Sequence, residues 1–128
     1  MIALSLLLAC HRDAAAPAED HHQDLRVEDH AVRTEDGATI TLHRHVAEGP
    51  PALVVHGISS NHNSWDLSED RSLASYLAEQ GIDAWLLDLR GHGAALTNPE
   101  GQRQWGGWSM DDYGARDIPA AVAWVSWA

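Results

Sequence analysis

Cysteine, basic side chains and long apolar runs are all scarce in this 128-residue chain. Cys10 stands alone, so no disulfide can close within the chain. Only 8 Lys and Arg oppose 19 Asp and Glu, a formal charge of −11. That balance argues against holding nucleic acid or an anionic membrane surface through charge. No stretch approaches the roughly 20 apolar residues that cross a bilayer. What is present is 45% hydrophobic residues, ordinary for a packed domain, so disorder throughout is not expected.

The chain is organised around Ala52-Leu53-Val54-Val55-His56-Gly57-Ile58. Four uncharged apolar residues predict a short strand buried on both faces, ending at Gly57. A strand that stops at Gly can turn sharply and leave the next backbone N–H groups free to face a cleft. Ahead of it, Leu25–Ala47 predicts a β-hairpin with its turn at Glu35-Asp36-Gly37. In the second arm Ile40, Leu42 and Val46 share one face, and Thr39, Thr41, His43 and His45 the other. A metal pair of His43 and His45 lacks a third ligand at suitable spacing, so these histidines are expected on a solvated face. No metal and no cofactor is expected.

Beyond the central strand, Ser68 predicts a helix cap, with acids in the first turn and Leu73, Tyr76 and Leu77 at helical spacing. Gly81 ends this helix of roughly 12 residues. Ile82–Asp88 is the next strand, and strand, helix and strand make a parallel βαβ unit. Ser109 and Asp112 suggest a capping box. Asp117-Ile118-Pro119 suggests a second helix start, with Val122 and Val125 on one face.

Leu-Val-Val-His-Gly-Ile, followed by Trp65, resembles the strand and oxyanion loop of the α/β-hydrolase fold. Asp88-Leu89-Arg90-Gly91-His92-Gly93 resembles the loop that packs beside it after the fourth strand in that family. The segments Leu73–Leu86 and Trp108–Val122 resemble its acid-lipase-like, esterase branch. The resemblance implies an α/β fold: the N-terminal portion of an α/β-hydrolase sheet, a hairpin followed by a βαβ unit and a helix. It also implies a small-molecule or lipid ester as substrate. The Ile58 N–H would be an oxyanion donor, with His56 and Gly57 shaping its loop. Asp88, Arg90, Gly91, His92 and Gly93 would form a structural loop, and the family's catalytic His comes much later in sequence than His92.

Neither Gly57-Ile58-Ser59-Ser60-Asn61 nor Gly107-Trp108-Ser109-Met110-Asp111 completes the nucleophile elbow Gly-x-Ser-x-Gly. In the family the Asp and His follow the elbow, so nucleophile, acid and base are all expected beyond Ala128. An Asp at the elbow would make an epoxide hydrolase or dehalogenase instead. Nine histidines leave a non-catalytic, lipid-anchored binding protein as the reading from another class.

At the start, 1–9 is an apolar segment of signal type, and Leu7-Leu8-Ala9-Cys10 resembles a bacterial lipobox. The acidic, Ala- and His-containing stretch 10–24 then reads as a tether, and 25–128 as the hydrolase portion. The resemblance implies export as a lipoprotein attached to a membrane through lipidated Cys10, the outer membrane by preference. A periplasmic or secreted chain is the alternative.

Overall fold

The computed structural model describes residues 25–128; the signal-type segment, Cys10 and the tether lie outside them. Strands β1 (Val27–Arg33) and β2 (Thr39–His45) form the expected antiparallel hairpin, with Val27 opposite His45 and Arg33 opposite Thr39. Gly37, at φ 85°, makes the turn, and its N–H bonds the Thr34 carbonyl at 3.0 Å. Strand β3 (Pro51–Val55), helix α1 (Leu73–Glu79) and strand β4 (Asp83–Asp88) follow, and β3 pairs β4 in parallel. The sheet order is β1-β2-β4-β3, so β2 and β4 are central and β3 lies at an edge.

That order corrects the reading of the central apolar stretch. β3 is half-buried rather than buried on both faces, because it has a neighbour only on its β4 side among the described residues. Every residue of β4 is buried, Trp85 fully. Trp85 satisfies its indole N–H by donating to Asp83 Oδ2 at 2.7 Å, and the Arg44 guanidinium lies 4.7 Å above its ring.

The sheet has a layer on each face. Ala74, Leu77 and Trp65 pack on Val54, Ala84 and Leu86. On the other face Val32, Ile40, Leu42, Trp85, Leu87 and Leu89 pack with Ala121. Helix α1 begins later than expected and runs 7 residues instead of roughly 12. Ser72, not Ser68, caps it, accepting the Ser75 N–H at 2.9 Å. The reason lies upstream: the Trp65 carbonyl takes the Leu73 N–H at 2.8 Å, while Ser68–Arg71 closes a separate turn. Its buried residues are Ala74 and Ala78, whereas Leu73 and Tyr76 are exposed. Small side chains let the helix approach β4 closely.

The expected capping box at Ser109 and Asp112 opens α2 (Met110–Asp112). There is no second start at Asp117. A π-helical segment, Tyr113–Asp117, runs directly into α3 (Ile118–Trp127), and Asp117 caps nothing. A wider turn just ahead of Pro119 suits a residue that has no N–H and whose ring crowds the preceding turn. On α3, Ala121 is buried and Val125 packs on the core, but Val122 is half exposed. Among the described residues no helix is long and apolar enough to cross a membrane.

Candidate active-site loops

Parallel pairing brings the C-terminal ends of β3 and β4 to the same edge of the sheet. Two loops leave from there. The first contains Gly57–Ser64, closed by the Ser60 N–H on the Gly57 carbonyl at 3.1 Å and by a 3-10 turn at His62–Ser64. The second contains Leu89–Leu96 and ends in a 3-10 turn at Gly93–Leu96.

Three side chains join the loops. His56 is buried; its Nδ1–H donates to the Gly57 carbonyl at 2.7 Å, and its Nε2 accepts the Leu89 N–H at 3.2 Å. Both ring nitrogens are therefore used between the two loops. His92 donates from Nδ1 to the Ser60 carbonyl at 3.0 Å, and its Nε2 accepts the Tyr113 hydroxyl at 3.1 Å. Trp108 completes that chain by donating to the same hydroxyl at 3.0 Å. Asp88 is the third. It accepts the His62 N–H at 2.8 Å, the Ala94 N–H at 2.8 Å, the His62 ring at 2.8 Å and the His43 ring at 3.0 Å.

These contacts set the charge state of Asp88. Burial opposes its ionisation, but the hydrogen bonds from His43, Ala94 and His62 outweigh it and hold its carboxyl at about 2. Burial likewise opposes a charge on His43, yet the carboxylates of Asp88 and Asp29 raise it above the usual histidine range. Gly93, at φ 49°, packs so closely on Asp88 that a Cβ there would overlap the carboxylate.

Arg90 carries the second loop's other anchor. Its Nε donates to Asp117 Oδ1 at 2.8 Å, and its terminal nitrogens grip Asp36 at 2.7 and 3.0 Å. Burial works against the Arg90 charge, and the two carboxylates more than restore it, raising its pKa. Arg90 thus fastens the hairpin turn and the π-helical segment to the end of β4. Its partners are carboxylates brought from 54 residues before and 27 after.

Ile58 sits at the exposed tip of the first loop, and its N–H donates to no backbone carbonyl among the described residues. His43 and His45, expected on a solvated face, are buried, because β2 has strands on both sides and α1 crosses that face. His43 belongs with His62 and Asp88, not with His45, whose Nε2 lies 3.3 Å from Asp66. Asp36, Asp117 and Tyr113 were not singled out as site residues by sequence. The one available signal for His43 was its place opposite Ile40 and Leu42 in an arm apolar enough to be central.

A mixed sheet in the order β1-β2-β4-β3, crossed by α1 and backed by α3, defines the N-terminal portion of an α/β-hydrolase sheet. The fold is that of the α/β-hydrolases, and the chain is similar in sequence to lipases and in structure to an esterase. No protein-family model matches it. A probable lipase of Schizosaccharomyces pombe is 34% identical over 121 residues, covering 82% of this chain and 26% of that protein. Lipase 3 of Drosophila melanogaster is 29% identical, covering 98% and 35%. Triacylglycerol lipase 2 of Arabidopsis thaliana is 32% identical, covering 74% and 26%. Among solved structures, the Pyrococcus furiosus esterase Pf2001 superposes with a TM-score of 0.55 at 19% identity, covering 80% of this chain and 37% of that one. The chain thus spans about a quarter to a third of the length of the curated relatives it matches.

Proposed function

We propose that this chain is the N-terminal part of a serine-type hydrolase of carboxylic esters, lipid esters included, and that it supplies the oxyanion loop. The observation that carries the reading is the Ile58 N–H, without a backbone acceptor among the described residues, on a loop held by His56, His92 and Asp88. A donor held in advance at a developing negative charge is what acyl transfer needs, since no reorganisation is then required during reaction. Lipases among the relatives support the ester class.

The nucleophile, acid and base come from the remainder of the full-length protein. The outer edge of β3 offers the attachment point. A strand added there in parallel would end beside Ile58, where an elbow serine could reach an ester carbonyl held by that N–H. A lipidated Cys10 would keep the enzyme at a membrane, and stable attachment needs more than one acyl chain. Mass spectrometry of the mature N-terminus should find Cys10 acylated; an unmodified thiol contradicts the anchor.

The test is hydrolysis of nitrophenyl esters of graded chain length by the full-length protein, before and after treatment with a serine-directed organophosphonate. Turnover that the reagent abolishes, with one equivalent incorporated, is expected. Absence of ester turnover, or turnover indifferent to the reagent, overturns the reading.

A further inference from the structure

His43, His62 and Asp88 form a cluster for which ester hydrolysis has no chemical use. One ligand atom from each lies within 4.8 Å of the other two, with Asp88 fully buried, His43 buried and His62 partly buried. The rings of His43 and His62 stack, with centroids 3.8 Å apart, so both present nitrogen to one carboxylate oxygen. That oxygen, Asp88 Oδ2, is 3.0 Å from His43 Nε2 and 2.8 Å from His62 Nδ1.

Asp29 backs the cluster from the far side. Its Oδ1 lies 2.6 Å from His43 Nδ1, holding the ring with Nε2 directed at Asp88 Oδ2. A carboxylate behind the far nitrogen of a histidine is the arrangement that orients metal-binding imidazoles and strengthens their donation.

We propose that His43 Nε2, His62 Nδ1 and Asp88 bind a transition-metal dication of zinc class, with Asp29 orienting His43. Two imidazoles and a carboxylate are borderline donors suited to zinc. Metal–nitrogen bonds of about 2.0–2.1 Å set tetrahedral ligand atoms about 3.3 Å apart. The donor separations to Asp88 fall a few tenths of an ångström short of that. Binding displaces the ring protons that face Asp88, so affinity rises with pH. Because Asp88 also holds the His62 and Ala94 N–H groups, the ion would clamp β2, β4 and both loops together. The proposal is independent of the ester reading.

The experiment uses untagged protein, stripped with chelator and returned to neutral buffer. Zinc is titrated by calorimetry, and cobalt(II) by its visible absorption. One zinc per chain is expected, together with the intense visible bands of four-coordinate cobalt. His62→Gln keeps the backbone N–H to Asp88 and should abolish both signals. Asp29→Asn, at an exposed side chain of β1, should weaken zinc about 10–100-fold. His21→Ala with His22→Ala should change neither signal. Failure to bind zinc, or binding that survives His62→Gln, overturns the proposal. So does binding that is lost with His21 and His22, since the metal would then sit in the N-terminal stretch. Circular dichroism of each variant separates loss of ligand from loss of fold.

Discussion

Arg90 shows how a single side chain can hold three parts of a fold. Only 4% of its side chain is exposed, and Asp117 is fully buried. Removing the guanidinium leaves the Asp117 carboxylate buried and unpaired, so Arg90→Ala should cost about 3–5 kcal/mol in denaturant titration. Arg90→Lys should recover little of it, since an ammonium cannot span both carboxylates in a planar fork. Asp36 reports the same contact through pH. Hydrogen bonds from Arg90 first, then Thr34, hold its carboxyl well below the usual carboxylate range. A depressed folded pKa gives stability that is fully present above the unfolded value of about 4 and lost as pH falls through the folded one. Wild type should therefore lose more stability than Asp36→Asn between about pH 5 and pH 2, as read by urea midpoints. Equal losses would mean that Asp36 is not paired in solution. Gly93→Ala should also destabilise, because its Cβ must displace the Asp88 carboxylate that holds both loops. Asp88→Asn should then change stability far less in the Gly93→Ala background than in wild type.

Strand position governs the next set of effects. β4 lies between two strands and is buried throughout, whereas β3 is half-buried at the edge. Leu86→Ala should cost about 2–5 kcal/mol, the range for emptying a packed site. Val54→Ala in β3 should cost less in the 128-residue chain, and more in the full-length protein if a further strand covers that edge. Equal costs in both would argue against such a strand. The hairpin, the βαβ crossover and the end of the helix at Gly81 were legible in the sequence because alternation, turn glycine and apolar runs are local signals. The start of α1 was not. Ser68 and Ser72 are equally good caps, and only the Trp65 carbonyl, seven residues back from Ser72, decides between them. Burial of His43 and His45 was hidden for a related reason, since it depends on β4 pairing with β2, His45 opposite Ala84 and His43 opposite Leu86. The loop carrying Asp88 and Arg90 was recognisable by resemblance. Its carboxylate partners, set by tertiary packing, were not.

On the scale of the molecule, the described residues form a core that leaves two surfaces uncovered among themselves. Trp124 and Trp127 of α3 are exposed and line an open cavity of about 550 Å³ with His30, Val32 and Trp85. Among the described residues no strand pairs with β3 on the side away from β4. Within the 128 residues there is no elbow serine, so this chain by itself should show no ester turnover. The central claim is that the Ile58 N–H holds the oxyanion in the full-length enzyme. It is tested most directly by comparing kcat for a short-chain nitrophenyl ester in wild type, Ile58→Ala and Ile58→Pro. Ile58→Ala keeps the N–H and trims only an exposed side chain, so kcat should stay near wild type. Ile58→Pro removes the donor, and kcat should fall about 10²–10³-fold with KM little changed. A proline variant that folds and turns over at the wild-type rate would contradict the account.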